Sequence, residues 1–140
     1  MVTLKAATVI DSLGIPYFRE LSTFGALSDK AITDLLTRGT IRQLEKGEVL
    51  YQWGTQVTGF SLVLEGDLAH YKHCGEHDVL TRHFRAGEQM SFDTMIGLKP
   101  HSGTAIASEH SLILEISSGL FFDFHIDHPA DFGLLMINLA

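Results

Sequence analysis

Hydrophobic residues near the N-terminus follow a helical period. In the segment LSDKAITDLLTRGT, three aliphatic side chains recur on one helical face: Ile32, Leu35 and Leu36. Ser28 stands before this face as a predicted N-cap, Gly39 ends it, and Leu27 is placed to pack on Ile32. The pattern predicts a short amphipathic helix within an N-terminal helical segment, residues 1–39.

From residue 40 to 117 the spacing changes to short runs typical of β-strands. Glycine, aspartate, serine and Glu-His punctuation separates the runs, which are TIRQLE, EVLYQW, GFSLVLEGDLAHYK, VLTRHF, GTAIAS and SLILEIS. In the last run, Leu112, Leu114 and Ile116 occupy alternate positions and therefore share one apolar face. Short strands at this spacing predict a compact antiparallel sandwich or barrel.

After Ser117 the helical period returns, and Pro129 is placed to begin a last helix. Four apolar residues of that helix are expected on one stripe: Phe132, Leu135, Met136 and Leu139. The stripe has more apolar surface than one side of a barrel is expected to cover. We therefore predict that it forms the interface of a homodimer. The fold class is therefore mainly β with flanking helices, in a single domain over residues 1–140.

Composition narrows the range of partners. Ten basic and seventeen acidic residues give a formal net charge of −7, which opposes direct contact with nucleic acid or anionic lipid. Cys74 is the only cysteine, so the chain forms no internal disulfide. The sequence shows neither a signal-peptide pattern nor an apolar run of membrane-spanning length, and we expect a cytoplasmic protein with no membrane partner.

The central runs resemble a known family. KGEVLYQWGTQVTGFSLVLEGDL carries glycines at positions 47, 54 and 66, with Phe60, Leu62 and Val63 between the last two, and AGEQMSFDTMIG follows. These segments resemble the cyclic-nucleotide-binding-domain fold, the sensor half of Crp/Fnr-type transcription regulators. The resemblance implies a double-stranded β-helix jelly roll over residues 40–117, followed by C-terminal helices over 118–140.

In family members that bind cyclic nucleotides, the binding cassette resembles G-E-x-x-G-E followed by Arg-Ser/Thr-Ala. The resemblance implies that the second glutamate holds the ribose and the arginine holds the cyclic phosphate. Here Ser91 stands for the second glycine, Phe92 for that glutamate, and Ser102 or Gly103 for the arginine. Burying a phosphate without a cationic partner costs several kcal/mol of desolvation free energy, and a helix N-terminus stabilises the charge by only about 0.3–2 kcal/mol. We therefore expect poor binding of cyclic AMP and cyclic GMP.

The stretch SFDTMIG is similar to G-F-D-A-I-G of the oxygen-sensing Fnr-like branch, in which no cyclic nucleotide is used. That branch carries an iron–sulfur cluster on cysteines near the N-terminus, and this chain has none before Cys74. The helix-turn-helix that follows the sensor domain in both branches is not in these residues, and Ala140 falls within the expected dimerisation helix. We expect either a truncated regulator or a stand-alone regulatory module.

Nine residues are candidates to line a ligand pocket: Gly87, Glu88, Ser91, Phe92, Asp93, Thr94, Ser102, Gly103 and Thr104. Two alternatives remain open. The pocket is closed by its own side chains, with Phe92 and Met95 as core residues, or it binds another small ligand; the first is favoured because a ligand site needs convergent polar groups and few remain here. Glu88 and Asp93 also have structural interpretations, as a carboxylate in a turn and as a residue of the first turn of a helix.

A second cluster, HYKHCGEHD, contains four possible metal ligands, His70, His73, Cys74 and His77, and His83 follows on the next run; His73, Cys74 and His77 are the candidates for a site. Their spacing is poor for a metal site, and the His-x-His pair of a cupin-like metalloprotein is missing, so we interpret the segment as a solvated hairpin that turns at Gly75. The sequence has no P-loop, nucleophile elbow or zinc-protease motif. We expect no cofactor and no catalysis.

The sequence thus predicts a non-catalytic sensory or regulatory module that acts through an unknown effector or protein partner. Two alternatives stay open: a genuine receptor for a cyclic nucleotide or other small effector, and a cupin-like metalloprotein.

Overall fold

The computed structural model describes all residues from 1 to 140. The helices are α1 Ala6–Leu13, α2 Ile15–Arg19, α3 Asp29–Arg38, α4 Phe92–Ile96, α5 Ser118–Asp127 and α6 Pro129–Leu139, with a 3-10 turn at Ser22–Phe24. The strands are β1 Val2–Leu4, β2 Thr40–Leu44, β3 Val49–Tyr51, β4 Gly59–Glu65, β5 Asp67–Cys74, β6 His77–Arg85, β7 Gln89–Met90, β8 Gly103–Ala107 and β9 Ser111–Ser117. None of the helices combines the length and the apolar character needed to cross a membrane.

The strands form two antiparallel sheets, which gives the jelly roll with flanking helices that the sequence predicts. One sheet has the order β1-β2-β9-β4-β7 and the other has the order β3-β8-β5-β6. The run GFSLVLEGDLAHYK divides at Gly66 into β4 and β5, which belong to different sheets. Gly66 has a φ of 101°, and a Cβ there would lie 2.6 Å from the carbonyl oxygen of His110, so this corner needs glycine.

The apolar residues divide into two cores because both faces of the first sheet are covered. Leu112, Leu114 and Ile116 of β9 face the helices, which confirms the predicted apolar face. Ile113 faces the other sheet and joins a smaller core between the sheets. The smaller core contains seven buried residues against 22 in the core beneath the helices, so most of the buried apolar side chains lie on the helical side.

The predicted end signals of α3 are confirmed. The Ser28 hydroxyl accepts a hydrogen bond from the amide of Ala31 at 3.1 Å, and the amide of Gly39 donates to the carbonyl of Leu35 at 2.9 Å. Leu27 and Ile32 are both buried in the core beneath the helices. The start of α5 falls where the helical period returns after Ser117, and α4 holds Asp93 in its first turn, as the structural interpretation of that residue expects.

Two expectations about the chain ends need correction. The N-terminal segment is not purely helical, because β1 pairs with β2 through Val2, Thr3 and Leu4. The dimer contact predicted for Leu135 and Leu139 is not available, because these side chains are 0% and 6% exposed and lie in the protein's own core.

The apolar surface that remains on the last two helices lies on other residues. Phe132 is half-buried and packs against the core, whereas Met136 is exposed. Further exposed apolar side chains on α5 and α6 are Phe122, Ile126, Leu134 and Ile137. The homodimer stays a prediction, and this set replaces the stripe as its expected interface.

Candidate functional site

The cassette runs from the end of β6 to the start of β8 and turns sharply at Ser91. Ser91 has a φ of 76°, in the left-handed region, and stands before α4 without a side-chain cap bond to that helix. A side chain larger than hydrogen is disfavoured in this conformation by about 1–2 kcal/mol, which is why a glycine suits the position. The Thr94 hydroxyl donates to the carbonyl of Ser91 at 3.0 Å and holds the turn.

Phe92 fixes α4 to the helical side of the fold. Its ring centroid lies 5.4 Å from that of Phe60 on β4 and 5.4 Å from that of Phe121 on α5, and both pairs meet edge to face. Met95 is buried in the same core. Phe92 therefore joins the cassette to the C-terminal helices and does not project between the two sheets.

Gly87 and Glu88 have structural partners. The carbonyl of Gly87 accepts hydrogen bonds from the hydroxyls of Ser22 and Thr23, at 2.9 and 2.7 Å. The Glu88 carboxylate accepts from the amide of Arg85 at 2.9 Å and pairs with Arg82 at 2.9 Å. Asp93 is exposed in the first turn of α4. These contacts fit the structural interpretations of the two acids.

The segment that the resemblance matches to the family's arginine, Ser102 to Thr104, is packed tightly at Gly103. A Cβ on Gly103 would collide with the carbonyl oxygen of Tyr71 and lie 2.5 Å from Cε1 of His70. The Thr104 hydroxyl accepts a hydrogen bond from the amide of Trp53 at 3.0 Å. Ser102 is exposed, so it alone has room for a longer side chain.

Two aromatic side chains meet beside these residues. The rings of Tyr51 and His101 are stacked at 3.9 Å with an interplanar angle of 10°. The Ser91 hydroxyl lies 3.3 Å from Nδ1 of His101, and the amide of His101 donates to the carbonyl of Thr55 at 2.9 Å. We call this unit the Tyr51–His101 stack; it lies between Ser91 and the β3–β4 loop.

The stack carries little positive charge at neutral pH. Burial, and then the nearby His70 imidazole, lowers the pKa of His101. Burial and the charge of Arg82 lower the pKa of His70 in the same way. Burial raises the pKa of Tyr51. All three groups are therefore held mainly in their neutral forms at pH 7.

The possible metal ligands lie on the hairpin of β5 and β6. His73 stacks on Trp53 with ring centroids 4.2 Å apart, and its Nδ1 lies 3.2 Å from a carboxylate oxygen of Asp78. Cys74 and His77 flank the turn at Gly75 and are exposed. No three His, Cys, Asp or Glu side chains are grouped in a way that could hold a metal ion.

Neither His101 nor Tyr51 was among the candidate residues that the sequence indicated. A signal was present, because His101 immediately precedes Ser102, one of the two positions matched to the family's arginine. His101 is therefore the polar side chain next to the position where the family has its arginine. The stacking on Tyr51 was not readable, because the two residues are far apart in sequence.

Comparison with known proteins gives a consistent answer. The sequence profile described as "Cyclic nucleotide-binding domain" matches residues 41–128. No curated protein matches the chain. A cyclic nucleotide-binding domain from Methylobacillus flagellatus is structurally similar with a TM-score of 0.81 and 18% identity, over 99% of this chain and 78% of that one.

Two transcription regulators are also similar in structure. The sensor domain of the regulator DNR from Pseudomonas aeruginosa gives a TM-score of 0.72 at 16% identity, over 96% of this chain and 87% of that one. The catabolite activator protein of Thermus thermophilus gives 0.73 at 18% identity, over 84% of this chain and 54% of that one. At these identities the likeness concerns the fold.

Proposed function

The chain belongs to the cyclic nucleotide-binding domain family, and we propose that it is a non-catalytic sensory or regulatory module whose cassette does not bind cyclic AMP or cyclic GMP in the usual way. The observation that carries this proposal is the Tyr51–His101 stack. It occupies the space beside Ser91 and the start of β8, where the resemblance places the cyclic phosphate.

Electrostatics support the proposal. Arginine binds phosphate well because its planar guanidinium donates two parallel hydrogen bonds. Ser102 and Gly103 supply no charge, and Gly103 has no room for a side chain. The nearest ring, that of His101, is kept neutral because burial lowers its pKa. A phosphate placed here would lose its hydration without gaining a cation.

The residues at the ribose side of the cassette also support poor binding of cyclic nucleotides. The resemblance implies a glutamate at position 92 that accepts hydrogen bonds from the sugar. Phe92 has no acceptor, and its ring is held between Phe60 and Phe121. A nucleotide would therefore find neither of the two side-chain contacts that orient it in family members that bind cyclic nucleotides.

Isothermal titration with cyclic AMP and cyclic GMP tests the proposal directly. We expect dissociation constants no better than about 100 μM, equivalent to about −5.5 kcal/mol. Micromolar or tighter binding to the unmodified protein would contradict the proposal.

Two variants separate missing charge from blocked space. Ser102→Arg adds a cation at an exposed position and should bind cyclic AMP little better than the original, because the stack still fills the site. Combining Ser102→Arg with His101→Gly removes half of the stack and should improve the affinity at least about tenfold, or about 1.4 kcal/mol. If Ser102→Arg alone gave the whole improvement, the site would be open and lacking only the charge.

We also propose that the module acts through a partner, in the first instance a second copy of itself. The exposed apolar side chains of α5 and α6 support this, since patches of this kind mark interaction surfaces. Phe92 contacts Phe121 on α5, so a change at the cassette has a direct route of packed rings to these helices. A receptor for a different small effector is a second candidate, favoured by a cavity next to the stack.

A further inference from the structure

A cavity of about 550 Å³ lies next to the Tyr51–His101 stack, bounded by β3, the β3–β4 loop and the ends of β2, β4 and β9. None of the nine residues selected from the cassette lines it. Tyr51 and His101 border it, and five hydroxyl side chains contribute to its wall: Thr40, Thr55, Thr58, Ser61 and Ser117. The volume is in the range of small-molecule sites in proteins, about 300–1,000 Å³.

Ser61 is the most informative residue of this wall. It is only 9% exposed, it belongs to β4 and it lines the cavity, yet its hydroxyl makes no hydrogen bond within the protein. The Ser61 hydroxyl is not fully enclosed by protein, so it opens onto the cavity. It can therefore donate to and accept from a polar group that enters the cavity.

Of the other four threonine and serine hydroxyl groups in the wall, two are hydrogen-bonded within the protein and two are not. The Thr55 hydroxyl donates to the carbonyl of Gln52 at 2.6 Å, and the Ser117 hydroxyl caps α5 through the amide of Leu120 at 3.1 Å. The hydroxyls of Thr40 and Thr58 make no hydrogen bond within the chain. With Ser61 they present three groups that can each donate and accept.

The charge of the wall favours a neutral ligand. Glu115 is the only carboxylate in the lining, and one of its oxygens lies 3.0 Å from Nε of Arg42. This ion pair leaves neither an unpaired cation to select an anion nor an unpaired carboxylate to select a cation. Tyr51 and His101 add ring surface, which suits the apolar face of a ring-shaped ligand.

We propose that this cavity binds a neutral ring compound with neighbouring hydroxyl groups, the chemistry shared by nucleosides and monosaccharides. Each ligand hydroxyl both donates and accepts, as Ser61, Thr40 and Thr58 do, so the two sets can pair without a net charge. The proposal goes beyond the function of the cassette, because it rests on residues outside the cassette and needs no phosphate.

Titration calorimetry with two probes, adenosine and glucose, tests the proposal on the intact protein. We expect at least one probe to bind with a dissociation constant of about 1 mM or better. Binding of adenosine alone identifies a nucleoside site, binding of glucose alone identifies a sugar site, and binding of both supports the shared chemistry. Absence of binding by both probes at about 10 mM would overturn the proposal.

Substitutions in the cavity wall test whether the ligand binds there. Ser61→Ala removes a hydroxyl of the cavity wall and should weaken binding about two- to tenfold, the range expected for one hydrogen bond. Thr58→Phe puts a ring at the exposed rim and should abolish binding, while Thr33→Ala, a surface hydroxyl on α3, should leave it unchanged. Unchanged binding in both Ser61→Ala and Thr58→Phe, with far-ultraviolet circular dichroism showing folded protein, would sink the assignment.

A parallel titration with cyclic AMP keeps the two proposals apart. Tight cyclic AMP binding that survives Thr58→Phe would contradict the proposed function of the cassette and leave the cavity proposal standing. Failure of adenosine and glucose with weak cyclic AMP binding would remove the cavity proposal alone.

Discussion

Replacing Phe92 by alanine tests whether the cassette is held on the helical core by an aromatic anchor. The variant removes a half-buried ring and its two edge-to-face contacts, at 5.4 Å to Phe60 and 5.4 Å to Phe121. Truncation of a fully buried phenylalanine costs about 3–5 kcal/mol, and each aromatic pair adds about 0.5–1.5 kcal/mol to area burial. Since Phe92 keeps part of its ring exposed, we expect a loss of about 2–3 kcal/mol in the free energy of unfolding.

The loss is large enough to measure in this domain. With an unfolding entropy of about 2.1 cal/mol/K per residue, the 140 residues give a shift in Tm of about 7–10 °C. Urea unfolding followed by far-ultraviolet circular dichroism gives the free energy independently. Amide hydrogen exchange in residues 91–102 should also become faster, because α4 loses its main contact with the core.

Leu80→Ala is the control, because its side chain lies on β6, away from the predicted dimer interface, and is 48% exposed. Its truncation should cost less than about 1 kcal/mol, as most exposed substitutions do. Equal losses for Phe92→Ala and Leu80→Ala, within about 0.5 kcal/mol, would refute the anchoring role.

Three further predictions concern packing, pH and assembly. Gly103→Ala should cost more than about 2 kcal/mol in urea unfolding, because its Cβ collides with Tyr71 and His70, whereas Gly133→Ala, on an open helical surface, should gain about 0.5–1 kcal/mol. Similar effects of the two variants would contradict this packing. Because burial in the folded state lowers the pKa of His101 below the ordinary histidine value of about 6.5, the unfolded state binds its proton first, and the unfolding free energy should fall as the pH drops below about 6.5. His101→Phe should lose part of that dependence between pH 7 and 5, and an unchanged slope would show that this imidazole is not responsible. Ile126→Glu, at a site 75% exposed on α5, should shift the predicted homodimer toward monomer in sedimentation, whereas Val79→Glu on β6 should not.

The local order of this protein could be predicted because its signals lie within a few residues of one another. Ser28 caps the helix that begins at the next residue, and Gly39 ends it. The alternation of Leu112, Leu114 and Ile116 defines a strand face, since side chains on a strand alternate sides. The position of the cassette followed from the resemblance of AGEQMSFDTMIG to the family's pattern, which is also a matter of neighbouring residues.

Strand pairing at the N-terminus could not be predicted from these signals. Val2–Leu4 is too short to show a period, and its strand conformation comes from hydrogen bonds to β2, about forty residues later. The partners of a strand are a property of the folded sheet. The conformation of so short a segment is therefore determined by its tertiary pairing and not by its own residues.

The packing partner of the last helix could not be predicted from the sequence either. The helical period put Phe132, Leu135, Met136 and Leu139 on one stripe of α6, but it did not indicate whether that stripe packs on the protein's own core or on a second copy. Only the packed fold places Leu135 and Leu139 inside and leaves Ile137 71% exposed.

The candidate site depended most on tertiary structure. Sequence alone showed that the cassette lacks the arginine and the glutamate of family members that bind cyclic nucleotides, because that is a matter of residue identity at matched positions. It did not show that Tyr51 meets His101, since their contact requires β3 to pair with β8 and the β3–β4 loop to hydrogen-bond with the residues before β8. It also did not show the free hydroxyl of Ser61, because a side chain gains or lacks a partner only after both sheets have closed around it.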